Sequence, residues 1–348
     1  MSLKPSFLQN EATAKLIWPL VALSAIIIFN ILFTPGFFHI EIKDGHLFGS
    51  LIDILNRGAP VMLVSIGMTL VFATGGVDLS VGAVIAISGA IAAHLIRPDY
   101  VKGVIEYGEL TPLFQVIAIP LIVSLAAGLW NGVLVAYVGV QPIIATLILM
   151  VAGRGIAQLV TEGQILVFIH EPFQYIGGGF LFGIPFPIIL VLVALAATYL
   201  LTRRTALGLF IEAIGANPKA SLYMGIRAKV IKVAVYMFCA LCAGVAGLII
   251  CSDIKAADAN NAGLFLELDA IAAVIIGGTM WGGRFTVAGS IIGALIIQSL
   301  TTTILTRGIA PEITLVFKAV VIICVALIQS ETFRNILAGR LMKKEAGK

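Results

Sequence analysis

The sequence predicts an all-α, polytopic membrane protein, and three observations carry that prediction. Of the 348 residues, 60% are hydrophobic. Only 11% are charged, against about 25% in a soluble domain. The apolar residues lie in long continuous runs, and a helix needs about 20 such residues to cross the hydrocarbon core. A mean hydropathy of +1.09 excludes a disordered chain, which is polar and charge-rich. Strands of a membrane barrel would alternate in segments of about ten residues; these runs are longer and unbroken.

Ten runs follow one another, at residues 16–34, 52–74, 80–96, 113–138, 142–161, 184–202, 230–252, 268–283, 286–306 and 313–330. The first comes after a polar stretch, 1–15, with Lys4, Glu11 and Lys15, and ends in Thr34-Pro35-Gly36. It has full span length and no small-residue cleavage site, so it reads as a retained helix rather than a signal peptide. Gly75-Gly76-Val77-Asp78-Leu79-Ser80 parts the second run from the third, and Gln141-Pro142 opens the fifth. The sixth and seventh are separated by the polar segment 203–229, and the tenth is followed by the tail 331–348. The other breaks are short and rich in glycine and proline. One membrane domain therefore accounts for residues 1–348.

Lysine and arginine set the orientation, because they accumulate on the cytoplasmic side. The segment after the sixth run holds Arg203, Arg204, Lys219, Arg227, Lys229 and Lys232 against one acid, Glu212. The tail holds Arg334, Arg340, Lys343, Lys344 and Lys348. With the N-terminal Lys4 and Lys15, thirteen basic residues fall on one side and five (Lys43, Arg97, Lys102, Lys255, Arg307) on the other. Ten spans with both termini cytoplasmic satisfy this asymmetry; an odd number breaks it.

The segment from Thr205 to Ile226 is too polar to span and too apolar for a loose loop. Leu207, Ile211 and Ile214 recur at helical spacing, and Gly215-Ala216-Asn217-Pro218 forces a turn. A second short helix then runs from Lys219 to Met224 and stops at Gly225. Such a helical pair suits docking into a partner's groove or resting on lipid headgroups.

Four stretches in this order resemble the ribose-type sugar ABC permease family, the inner-membrane component of binding-protein-dependent transport. They are Gly75-Gly76-Val77-Asp78-Leu79-Ser80-Val81-Gly82; Gly128 to Val135 running on to Gln141-Pro142 and Thr146; Glu212 to Ile226; and Glu267-Leu268-Asp269 with Gly277 to Arg284. Together they cover residues from about 50 to 330. Ala257-Asp258-Ala259-Asn260-Asn261-Ala262-Gly263 resembles the galactofuranose subgroup of that family. Two positions depart from the family pattern: Gly215-Ala216-Asn217 replaces Gly-Gly-Asn, and Met224 replaces a small residue.

The resemblance implies a permease subunit in the bacterial inner membrane, paired with a second permease copy or a related one. It implies cytoplasmic ATP-binding subunits, which would carry the ATP and magnesium, and a periplasmic sugar-binding protein. Glu212, Gly215, Asn217, Ala220 and Gly225 are then the coupling residues. The implied cargo is a monosaccharide, galactofuranose or a related sugar. The rival class is a secondary transporter or channel, which predicts paired intramembrane carboxylates or an inverted repeat.

The remaining polar residues have two readings each. Asp78 and Ser80 interrupt the chain between two spans, where irregular backbone is tolerated only inside protein or along a wet cavity; Asp78 also suits a helix N-cap. Asn131, Thr146, Arg154 and Gln158 lie in or near the fourth and fifth spans, as pathway groups or as glue between helices. Arg154 requires a carboxylate or carbonyl partner. Asp258, Asn260, Asn261, Glu267 and Asp269 cluster at the outer entry of the eighth span and suit a loop, a rim for docking a binding protein, or sugar hydroxyls.

Several chemistries have no support in the sequence. There is no G-x-x-x-x-G-K-[ST], so ATP hydrolysis belongs to another subunit. The four histidines (His39, His46, His94, His170) are scattered, and no catalytic grouping or metal site emerges. Cys239, Cys242, Cys251 and Cys324 lie in or beside apolar runs and read as small hydrophobic residues. The chain is expected to be a transport subunit, not an enzyme, with no cofactor of its own.

Overall fold

The computed structural model describes residues 11–34, 36–43, 45–96, 99–101, 104–106, 111–308, 313–320 and 323. It is a bundle of helices: α1 (Glu11–Phe33), α2 (Ser50–Ala73), α3 (Val81–Ile96), α4 (Leu113–Val133), α5 (Pro142–Val160), α6 (Glu171–Gly178), α7 (Phe186–Arg203), α8 (Leu207–Ala216), α9 (Pro218–Tyr223), α10 (Ala228–Ile254), α11 (Leu266–Ile276) and α12 (Val287–Thr306). Residues 313–320 are also helical. The strands are two or three residues long and pair antiparallel, mostly as hairpins in connections such as Glu41–Lys43 with His46–Phe48.

Seven helices among the described residues are long and apolar enough to cross a membrane: α1, α2, α4 with its continuation, α5, α7, α10 and α12. The expected third span is α3, whose 16 residues reach only about 24 Å at 1.5 Å per residue, short of a ~30 Å hydrocarbon core. It works because it is enclosed by protein: all but three of its residues are buried. The expected eighth span, 268–283, is corrected more sharply. α11 ends at Ile276, and Gly277-Gly278 leads into an irregular segment up to Thr286, with Gly278, Gly282 and Gly283 at positive φ. Half of the expected tenth span, with Cys324, lies outside the described residues, as do the tail 331–348 and residues 1–10.

α10 is the hub of the bundle. It packs on α2, α3, α4 and α6, while α2 also meets α7, α11 and α12. Small residues allow this crowding, which lets apolar helices gain packing contacts where lipid supplies no hydrophobic drive. Gly128 of α4 lies so near the backbone of Met237 that a Cβ there would come within 2.7 Å of its Cα. Gly277 and Gly289 bring α11 and α12 into backbone contact in the same way. Cys239, Cys242 and Cys251 are buried free thiols in α10, packing as small apolar side chains.

The outer helices show apolar faces instead. Trp18 and Leu32 on α1, Phe114 and Ile122 on α4, Val151 and Leu159 on α5, and Val193 on α7 are exposed. In water such faces would be a liability; in lipid they are the solvent-facing side. α4 continues as a π-turn over Leu134–Val138 before Gly139 at φ 84° reverses the chain into α5.

Candidate functional site

Two arrangements stand out, one within the bundle and one at the end that carries α8 and α9. The first gathers Asp78, Ser80 and Asn131, all fully buried. Asp78 Oδ1 accepts from the Ser80 amide at 2.9 Å and the Ser80 hydroxyl at 2.6 Å. Asn131 Nδ2 donates to Ser80 Oγ at 2.8 Å and, more weakly, to Asp78 Oδ1 at 3.4 Å. The Tyr236 hydroxyl donates to the Val77 carbonyl at 3.3 Å, so α10 supports the same loop.

Asp78 is thus not the N-cap of α3. The Ser80 carbonyl receives the amide of Val84, which makes Ser80 the cap position. Asp78 instead closes an Asx-turn two residues earlier. Among the described residues Asp78 Oδ2 and Asn131 Oδ1 are buried without a protein partner, and a buried acceptor left unpaired costs about 1–3 kcal/mol.

Next to it, Arg154 finds its partners in backbone. Nη1 donates to the carbonyls of Ala262 at 2.6 Å and Ala259 at 3.0 Å, and Nη2 reaches Gly82 at 3.4 Å. One turn on, Gln158 Nε2 donates to Asn260 Oδ1 at 2.7 Å. α5 therefore grips the 258–263 loop and the start of α3 together. Within the loop, Asp258 accepts from the amides of Asn260 and Asn261 and from Asn261 Nδ2 at 2.7 Å. The Asn261 side chain, helped by those amides, holds the Asp258 carboxylate below its ordinary range.

The outer candidates separate. Asp258, Asn260 and Asn261 form that turn, in which Asn260 and Asn261 are the more exposed. Glu267 is buried at 3% exposure, with its carboxylate against Gly82, so in this conformation it faces α3 and not a docking surface. Asp269 pairs with Lys318 at 2.7 Å, tying α11 to the helical segment 313–320. Thr146 is spent on its own helix, donating to the Pro142 carbonyl at 2.9 Å.

The second arrangement is a backbone junction. α8 lays Gly215 directly against the Ala73 carbonyl at the end of α2 and against Gly282 and Gly283. Gly283 donates to the Ala73 carbonyl at 2.8 Å and Gly282 to the Phe72 carbonyl at 3.0 Å. Trp281 packs edge-on against Phe72 with ring centroids 4.8 Å apart. Glu212 lies 3.8 Å from Arg203, and Arg203 also donates to the Phe285 carbonyl at 3.1 Å. Asn217 caps α9 by accepting from the Ala220 amide at 3.0 Å, with Pro218 at the first position. Gly225 turns at φ 79° with open space around it.

Residues to which the sequence reading gave no part in this junction complete it: Ala73, Phe72, Trp281 and Arg203. The paired glycines 282 and 283 were the available signal, because two glycines outside a helix mark backbone that another chain segment approaches. An apolar cavity of about 210 Å³ lies beneath α8, lined by Leu70, Leu201, Leu207, Ile211 and Phe238 among others. No group of three or more His, Cys, Asp or Glu among the described residues could hold a metal.

Comparison with known proteins agrees with this architecture. Residues 50–326 match the family model described as branched-chain amino acid transport system / permease component. The chain is 48% identical to the galactofuranose transporter permease protein of Escherichia coli (strain K12) over 96% of its length and 97% of that protein's. It is 37% identical to the fructose import permease protein of Bifidobacterium longum, over 97% and 94%. With the ribose import permease protein of Escherichia coli (strain K12) the identity is 36%, over 90% and 92%. No solved structure matches. A polytopic helical bundle matched by the family model from α2 into the 313–330 run, with full-length relatives that are transport permeases, belongs to the branched-chain amino acid transport system / permease component family, and the chain is the membrane-spanning permease component rather than an enzyme.

Proposed function

We propose that this chain is the inner-membrane permease subunit of a binding-protein-dependent ABC importer for a monosaccharide, with galactofuranose or a related sugar as cargo. The sugar reading is supported by relatives whose names specify galactofuranose, fructose and ribose. The observation that carries the mechanism is the contact of Gly215 with the carbonyl of Ala73. Five residues after Ala73 the chain reaches Asp78, at the buried polar junction with Ser80 and Asn131.

ATP and magnesium sit on separate cytoplasmic subunits in this reading, and a periplasmic binding protein delivers the sugar. Closure of the ATP-binding subunits moves α8 and α9. Because Gly215 meets backbone and not a flexible side chain, that displacement passes to the end of α2 and to the Gly282–Gly283 loop. The α2–α3 junction then shifts, and access alternates between the two membrane faces. Asp78, Ser80, Asn131 and Arg154 border that path, whereas Asp258, Asn260 and Asn261 form the outer rim. Among the described residues Asp78 is bonded to Ser80 and Asn131 and to no second carboxylate, whereas a gradient-driven carrier would pair carboxylates inside the membrane.

The test is reconstitution with the ATP-binding subunits and the sugar-loaded binding protein, for wild type and Glu212→Arg. The wild type should take up galactofuranose in step with ATP hydrolysis. Glu212→Arg places a second cation beside Arg203 and should leave hydrolysis while abolishing uptake. Uptake that continues without ATP would overturn the reading.

A further inference from the structure

We propose that the cavity between the cytoplasmic ends of α4 and α10 and the short helix α9 binds the phosphate headgroup of an anionic phospholipid from the inner leaflet. The proposal rests on the reading that places residues 203–229 on the cytoplasmic side. The cavity holds about 410 Å³. Its walls divide by chemistry: Val135, Leu222 and Val230 are apolar, whereas Arg227, Lys229 and Lys232 bring three positive charges. Among the described residues no acidic side chain lines it.

Basic residues at the cytoplasmic end of a span are ordinary, and long side chains there extend toward water over apolar surface. That accounts for Arg227 and Lys229, which are exposed. Lys229 also lies over the Tyr137 ring at 5.3 Å. It does not account for Lys232, which stands a full turn inside α10 and is only half-exposed. Among the described residues its ammonium makes no hydrogen bond and no ion pair. A partly buried charge without a counter-charge is costly, and the cavity beside it has room for one.

The occupant follows from location and charge. The cavity opens where α4 and α10 leave the bilayer, which is the depth of the headgroups. A soluble anion would need only the cations, but two thirds of this lining is aliphatic and matches the glycerol and first acyl carbons of a lipid. Basic pockets between spans on the cytoplasmic side are suited to anionic headgroups. Because Pro218 and Leu222 of α9 form one wall, an occupied site would brace the helix pair that takes up the motion of the ATP-binding subunits.

The experiment is native mass spectrometry of the delipidated full chain, titrated with phosphatidylglycerol or with phosphatidylcholine of the same acyl chains. Phosphatidylglycerol should be retained and phosphatidylcholine should not. Lys229→Gln with Lys232→Gln should weaken retention about 30-fold, at about fivefold for each cation removed near a headgroup. Lys232→Arg should keep it, and Lys219→Gln, which removes a charge outside the cavity, should leave it unchanged.

Equal retention of the two lipids, or equal loss with Lys219→Gln, would overturn the proposal. Displacement by millimolar inorganic phosphate would make this a phosphate site and not a lipid site. Lipid retention left intact in the double variant would show that these cations hold no headgroup and would overturn the proposal as well. Retention is read without transport, so failure here is separable from failure of the importer reading.

Discussion

Gly215 and Ala73, 142 positions apart in the chain, meet so closely that any side chain on residue 215 would overlap the Ala73 carbonyl oxygen. That oxygen also accepts the amide of Gly283 at 2.8 Å. One carbonyl therefore joins α8, the end of α2 and the loop after α11. Two residues beyond it the chain turns at Gly75 with φ 77°, and three more bring it to Asp78. A push on α8 has no side chain in which to dissipate before it reaches the α2–α3 junction.

Gly215→Ala should force α8 away from α2 at an overpacking cost of about 1–3 kcal/mol. The expected result is a lower melting temperature in detergent and less sugar imported per ATP hydrolysed. Gly163→Ala, in the turn after α5, is the comparison. It strains a left-handed residue by about 1–2 kcal/mol but meets nothing within 4 Å, so it should cost stability and leave the stoichiometry of transport intact. Equal uncoupling by both variants would show that the contact with Ala73 transmits nothing.

Asp78→Ala should be the most destabilising change in the buried junction. It leaves the Ser80 amide and hydroxyl without their acceptor, and unpaired buried donors cost about 1–3 kcal/mol each. Asp78→Asn keeps an acceptor for both and puts an amide where Oδ2 has no partner. It should therefore retain most of the melting temperature, although the charge is gone. A thermal-shift series over both variants and Asn131→Ala decides the matter. If asparagine is as harmful as alanine, the carboxylate charge and not the hydrogen-bond pattern holds the junction.

Most of the bundle was legible in the sequence because lipid exposure writes itself as unbroken apolar runs. α5, predicted over 142–161 and found as Pro142–Val160, shows how closely Gln141-Pro142 and a polar end delimit a span. α11 shows the limit: hydropathy cannot distinguish a helix from an equally apolar loop, and Gly277-Gly278 ends the helix seven residues early. The turn between α8 and α9 was readable from Gly215-Ala216-Asn217-Pro218, although the helix after it starts at Pro218 and not at Lys219, since proline suits a first helical position. The partners of Arg154 were not. Backbone carbonyls have no letter in a sequence, and Ala259, Ala262 and Gly82 offer nothing else. Asp269 was grouped with the rim on proximity in the chain, while its partner, Lys318, lies 49 residues away.

Arg154→Lys should release the 258–263 loop. A guanidinium spans three carbonyls at once because its donors are fixed in a planar fork; an ammonium is one point charge with a shorter reach. Hydrogen–deuterium exchange over residues 256–265 should rise in the variant. α10, held by its own packing on α2, α3 and α4, should stay protected. Gln158→Ala, which removes only the contact with Asn260, should produce a smaller effect at the same place. Unchanged exchange in both variants would mean that α5 does not hold this loop.

The Asp269–Lys318 pair should couple α11 to the helical segment 313–320 by charge. The two side chains are 2.7 Å apart and only 18% and 16% exposed, so solvent screens them less than the Arg203–Glu212 pair, which sits at 3.8 Å with side chains 49% and 23% exposed. An exposed pair contributes at most about 1 kcal/mol, and breaking a partly buried one costs more because the remaining ion stays desolvated. Asp269→Lys, or Lys318→Asp, should each lower the melting temperature in detergent by several degrees. The double exchange restores opposite charges across the same gap and should recover most of the loss. Loss in the double variant equal to the sum of the two single losses would show that the ions do not interact, and that α11 is held against this segment by apolar packing alone.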